Sequence, residues 1–369
     1  KTSALGDVLW GFFFTSSETL FGSRDPKDKK LYKVDDFYFG GVARYSAFGD
    51  LKSISPTLGL NVGNYDMSAM TIDDWGTTLS ATGTIWGQVR VGGQQYGRQV
   101  GHGPFLASVD LSKQRVNWFW AVEVAREGKG THVQLMRGSK GVFVGYYLHS
   151  LRLSDKSLKS GEHLNSRKLW IAVLTSDGKV QALEMLRPDV SDGALHLDQL
   201  MLDAQDNIYL LGRTNHIVRQ GTHRTSAGGR KSKFLVKLDA NARWLWGTTF
   251  GSTSATEGRS SMILSPQGDI VVGAQTRRSF VVSQKQLPAF ETHVVLLYFN
   301  SRDGSLRKFS PFDVNLNEQE ELWVHTDGRG HLWMVGQHKQ TLRFDDRDYS
   351  LKSIDPSMVH MFLLRHLIP

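Results

Sequence analysis

The feature that most constrains this chain is a short pattern repeated along its length: a turn, an apolar burst and a closing glycine. It reads clearly at Asn207-Ile-Tyr-Leu-Leu-Gly212, Asp269-Ile-Val-Val-Gly273 and His331-Leu-Trp-Met-Val-Gly336. It recurs at Thr84-Ile-Trp-Gly87, Gly141-Val-Phe-Val-Gly145 and Asp7-Val-Leu-Trp-Gly11, and from Thr84 onward the spacing is roughly sixty residues. A fixed period of this size is the mark of a repeat architecture. The bursts are too short for helices and lie between turn residues, which makes them strands.

Three further bursts accompany each glycine-ended one. In repeat order the four are A, B (glycine-ended), C and D. A is expected at Trp75 to Ser80, His132 to Met136, Asp198 to Leu202, Ser260 to Leu264 and Glu321 to His325. C is expected at Phe37 to Tyr45, Phe105 to Val109, Leu169 to Leu174, Phe234 to Leu238, Val294 to Phe299 and Met361 to Leu364. D, often tryptophan-bearing, is expected at Leu51 to Ser55, Val116 to Val124, Val180 to Leu186, Trp244 to Phe250 and Leu306 to Phe312. Asp/Asn/Gly clusters such as Asp203-Ala-Gln-Asp-Asn207 and Thr175-Ser-Asp-Gly178 supply the backbone conformations that tight hairpins need. Four antiparallel strands repeated six times, without a helical period between them, predict an all-β fold: a six-bladed β-propeller forming a single domain over 1–369. The first blade is expected to lack its A strand and the last its D strand. An unpaired blade edge of that kind invites a partner strand.

The repeat also resembles the bacterial secreted β-propeller (SBBP) repeats, and more distantly the NHL type. Phe234-Leu-Val-Lys-Leu-Asp239, Trp244-Leu-Trp246, Phe250-Gly-Ser252 and Ser265-Pro-Gln-Gly-Asp-Ile-Val-Val-Gly273 carry the likeness. The resemblance implies a propeller and an exported location, secreted, periplasmic or at a bacterial cell surface. It implies no single activity, because propellers host many unrelated ones. The sequence starts at Lys1 without methionine, so any leader would lie upstream.

The B–C connections are the long ones, and binding residues gather on elaborated loops. Thr214 to Lys233 is the richest in charge, with Arg219, Arg224, Arg230, Lys231 and Lys233, no carboxylate, and His216 and His223 besides; Arg213 adjoins it. With a formal net charge of +8, an acidic polysaccharide or acidic protein is the expected partner. Arg213, His216, Arg219, His223, Arg224, Arg230 and Lys231 are the candidate ligand-binding residues. Nucleic acid fits poorly, because that window has no Phe, Tyr or Trp on which bases could stack.

Catalytic and cofactor motifs are missing from the sequence. Zero cysteines exclude disulfides and thiolate chemistry. The thirteen histidines include no HExxH. Asp345-Asp346-Arg347-Asp348 lacks the spacing of a calcium loop. The glycine-rich stretches at Gly92-Gly93 and Gly228-Gly229 lack the strand-to-helix frame of a phosphate cradle. No GxSxG elbow occurs, and no apolar run approaches the roughly eighteen residues of a membrane span. The sequence therefore points to a non-enzymatic binding protein without cofactor or metal. Two alternatives stand beside it: a structural subunit of an envelope assembly, and an enzyme using axial-channel carboxylates such as Asp198, Glu257, Glu320 and Glu321.

Overall fold

The computed structural model describes residues 8–14, 18–21, 30–33, 39–46, 48, 50–59, 64–72, 77–91, 94–110, 113, 115–124, 128–136, 140–154, 156–159, 166–226, 232–252, 260–275, 280–283, 285–287, 294–312, 322–326, 331–338, 342–344, 347–349 and 360–367. Among these the chain is all-β, built from antiparallel sheets with no helix. It divides into two compact units, 1–165 with 169–185, and 166–168 with 186–369.

The expected A–B–C–D order is found in full in four repeats, the second to the fifth. The second holds Asn64–Ile72, Thr78–Val91, Gln94–Asp110 and Arg115–Ala121. The fourth holds Leu195–Leu202, Ile208–Thr214, Ser232–Leu238 and Trp244–Ser252. The fifth holds Ser261–Leu264, Asp269–Gln275, Val294–Asn300 and Leu306–Phe312. In the third, Gly128–Leu135, Gly141–Tyr147, Lys168–Leu174 and Val180–Pro188 follow the same succession. Among the described residues the first repeat shows B, C and D (Val8–Phe14, Phe39–Tyr45, Leu51–Gly59), and the sixth shows A, B and C (Leu322–Thr326, His331–His338, His360–Leu367).

Two expectations in the second repeat are corrected. Its A strand is Asn64–Ile72, while Thr78–Ser80 already belongs to B. The polar run Asp73-Asp74 with Gly76 holds the place that Asp203–Asn207 takes in the fourth repeat, so A precedes it. Its B–C connection is not a long loop either: Gln94–Asp110 is strand and pairs back on Thr78–Val91.

The recurring glycine has a steric cause. In the A strands the pairing shifts between Gly130 and His132 and between Leu197 and Gln199, opposite Gly145 and Gly212. A β-bulge there presses the A-strand backbone onto B. A Cβ on Gly145 would collide with the Lys129 carbonyl and Trp170, and one on Gly212 with the His196 carbonyl and Phe234. In the second repeat the equivalent position is Gly83, facing the bulge between Met67 and Ala69, rather than the Gly87 of the sequence pattern.

Every residue of the C strands Lys168–Leu174 and Ser232–Leu238 is buried. Both faces of such a sheet need cover, and within each unit a neighbouring repeat provides it on one of them. Tyr209, Leu211 and Leu235 of the fourth repeat share a core with Val272, Val295, Leu297 and Phe299 of the fifth. Leu106 of the second meets Phe143, Trp170 and Leu183 of the third. Tryptophans in the D strands tie the same pairs. Trp118 Nε1 donates to the Ser176 carbonyl (3.0 Å) and Trp246 Nε1 to that of Ser301 (3.1 Å), both in the following repeat's C–D turn.

Each such indole lies against a turn glycine with positive φ. Gly304 has φ +73°, and its Cβ would stand 2.5 Å from the Trp246 ring; Gly268 has φ +83° with open space around it. Both Gly→Ala changes incur the left-handed backbone cost of roughly 1–2 kcal/mol. Gly304→Ala adds a clash typical of overpacking, so its total is about 3 kcal/mol. Urea unfolding of the two variants should show Gly304→Ala clearly the less stable; equal losses would contradict the indole clasp.

Candidate anion-binding site

The charge-rich Thr214–Lys233 connection starts with a local clamp. The Thr214 hydroxyl donates to the His216 carbonyl (2.8 Å) and accepts its backbone N–H (3.0 Å). The chain then forms a hairpin, Val218–Gln220 with His223–Arg224, that pairs with the end of the preceding D strand: Arg187 opposite Arg219 and Pro188 opposite Val218. Gly221, at φ +57°, starts the two-residue turn. Alternation points Val218 and Gln220 inward, and the Gln220 amide donates to the Ala242 carbonyl (2.8 Å). Arg219 faces outward.

The same device recurs. Ser150–Leu153 with Lys156–Lys159 pairs on Glu123–Val124, burying Leu151 and Leu153. Phe280–Val282 with Lys285–Gln286 pairs on Gly251 and its neighbours, burying Phe280 and Val282. Ser154 and Ser283 take the positive-φ place of Gly221. The sequence reading treated these segments as plain loops. Their signal is the inward–outward–inward triplet, Leu151-Arg-Leu153, Val218-Arg-Gln220 and Phe280-Val-Val282, too short to stand out from loop composition.

On the outward face the pairing places three arginines in one row. Residues directly opposite in an antiparallel ladder share a face, so Arg187, Arg219 and Arg224 line up across three strands. Thr225 N–H donates to the Val218 carbonyl (2.9 Å), which makes Arg219–Arg224 the closer, non-hydrogen-bonded kind of pair, Cα atoms about 4.5 Å apart. Asp189 N–H donates to the Ile217 carbonyl (3.1 Å), so Arg187–Arg219 is the wider kind, about 5.5 Å. Among the described residues the carboxylate that reaches this row is Asp189, whose Oδ2 lies 4.0 Å from Arg219 Nη2. The contact is loose: Arg219 Nε and Asp189 Oδ1 are both buried without a hydrogen-bond partner. Arg224 is exposed and has no ion pair among the described residues. Close enough to feel the Arg187 charge is fully buried Lys168, its pKa pulled down to about 8 by burial and by that charge.

The other candidates separate from this row. Arg213 turns to Asp198, Nε to Oδ1 at 3.0 Å. That carboxylate is 1% exposed and also faces Lys233 Nζ at 3.9 Å. His196 stands beside them, its pKa lowered by burial and by Arg167 and Arg213. His223 is exposed and stacks on Trp244, ring centroids 6.4 Å apart. Arg230, Lys231, Glu257, Glu320, Glu321, Asp345 and Asp346 lie outside the described residues. Asp198, proposed above as a channel acid, is an internal counter-ion closed to solvent. Among the described residues no group of histidines and carboxylates is arranged to hold a metal ion.

No family model matches this sequence, and no curated protein matches it. Among solved structures, a protein of unknown function from Bacteroides caccae aligns with TM-score 0.38 at 10% identity, over 80% of this chain and 78% of its own. The V. cholerae biofilm matrix protein Bap1 aligns with TM-score 0.15 at 10% identity, over 86% of this chain and 59% of its own. At scores this low neither likeness assigns a fold or a function.

Burial outweighs the Asp198 charge at Lys233 and lowers its pKa from 10.5 to about 8. Between those values the unfolded chain binds a proton that the folded chain does not, so stability rises with pH across that window by at most about 1.4 kcal/mol per unit. Urea unfolding from pH 8 to 10 should show a smaller rise for Lys233→Met than for the unaltered protein. The same slope in both would mean that the ammonium is not desolvated.

Proposed function

We propose that the chain is a secreted or cell-envelope β-propeller of six blades that binds an acidic partner without catalysis. Support for the propeller comes from the A–B–C–D sheets, the face-to-face cores between successive repeats and the hairpins added to preceding D strands. Small antiparallel sheets that cover each other's faces in sequence are what a propeller consists of. The likeness to SBBP repeats supports the exported location.

The observation that carries the binding role is the pairing of Arg219 with Arg224 on the outward face of one hairpin. Like charges directly opposite each other destabilise a ladder, and among the described residues Asp189 alone forms an ion pair in the row, at 4.0 Å. An acidic ligand completes the neutralisation. Exposed positive charge of this kind speeds encounter with polyanions and makes binding salt-sensitive.

The test is binding of an immobilised acidic polysaccharide and an acidic polypeptide at low salt. Arg219→Glu with Arg224→Glu should weaken attachment at least tenfold, because each reversal replaces attraction by repulsion. Unchanged attachment would remove this surface from the account.

A further inference from the structure

Resting on the binding role just proposed, a narrower assignment follows from the chemistry of the row. We infer that Arg187, Arg219 and Arg224 form a site for the sulfate- or phosphate-ester groups of a glycan, with the gap between Arg219 and Arg224 as its centre. Arg187 belongs to the preceding D strand and lies outside the basic loop that the sequence singles out.

Three observations give the site its chemistry. The donors are all guanidiniums, whose planar forks bond oxyanions in two places and are less strongly hydrated than ammonium groups. Backbone ladders on both sides of Val218–Gln220 fix the spacing of the forks, so little ordering is left for binding to impose. The charge balance is specific as well. Three arginines and Asp189 leave +2 on the row, which suits one phosphate monoester, carrying about −1.5 to −2, or two sulfate esters.

Carboxylate ligands suit the row less well. The row already holds one carboxylate, Asp189, and that contact stays at 4.0 Å with Arg219 Nε unpartnered. A tetrahedral ester presents its oxygens in three directions and can bridge Arg219 and Arg224 across about 4.5 Å. An extended acidic peptide would present same-face carboxylates about 6.8 Å apart, missing that gap.

The experiment measures binding of the intact chain to heparin, to desulfated heparin, to poly-L-glutamate and to inorganic phosphate at one salt concentration. Heparin should bind at least tenfold more tightly than desulfated heparin or poly-L-glutamate. Arg219→Lys with Arg224→Lys keeps the charge and removes the forks, so it should weaken heparin binding about tenfold. Arg302→Lys, an exposed arginine in a C–D turn, should leave it unchanged, with thermal midpoints confirming that all variants fold. Equal binding of desulfated heparin or poly-L-glutamate would overturn the ester assignment while leaving an acidic partner in place. Full retention of heparin binding by the lysine variant would do the same. Binding of inorganic phosphate with no gain from heparin would overturn the glycan form. If no polyanion binds even at low salt, the binding role itself fails.

Discussion

A small sheet whose central strands are buried on both faces cannot stand alone, and most of this architecture answers that requirement. The C strands Lys168–Leu174 and Ser232–Leu238 expose none of their residues, so another layer must lie on each side. Within each compact unit a neighbouring repeat supplies one, the second for Lys168–Leu174 and the fifth for Ser232–Leu238. The joint is then fixed by directional contacts. Trp118 and Trp246 donate to turns of the following repeat, and the Gln199 side-chain amide exchanges two hydrogen bonds with the Met262 backbone, at 3.0 and 2.6 Å. Apolar burial drives the stacking, and the hydrogen bonds select its register.

The hairpins extend the same logic and create the site as a consequence. In the third, fourth and fifth repeats the B–C excursion buries two side chains and pairs with the D strand before it. In the fourth repeat the residue between the two buried ones is Arg219, and its partners across both ladders are also arginines. The charged row is thereby held by backbone geometry. The neighbouring Asp198 cluster behaves differently: its carboxylate is enclosed by Arg213 and Lys233, where the desolvation of each ion opposes the attraction between them.

Strand positions were legible because short continuous apolar bursts and the Asp/Gly turns between them are local. Asp203 shows why: its carboxylate accepts from the N–H groups of Gln205 and Asn207 and from the Tyr209 hydroxyl, so the turn is written within seven residues. The A strand of the second repeat was misplaced because Trp75 resembles the tryptophans of true strands, whereas Asn64–Ile72 has few large apolar residues. The site was half legible. Composition located Arg219 and Arg224, but their alignment with Arg187 is a cross-strand register between distant segments. Arg213, in the same basic stretch, turns inward to a carboxylate fifteen positions earlier. Charge counting does not distinguish the two cases.

The central claim is that this excursion is a hairpin registered on the preceding D strand, which a cysteine-free chain allows to be tested directly. Paired cysteines bridge only when their Cα atoms lie within about 7 Å and their Cβ atoms face each other. Under mild oxidation, Arg187→Cys with Arg219→Cys should close to a disulfide, and Arg187→Cys with Gln220→Cys should not, because a one-residue shift turns the side chain to the other face. Mass spectrometry of the intact chain reads the result. Closure of the second pair, or of neither, would contradict the register on which the arginine row depends.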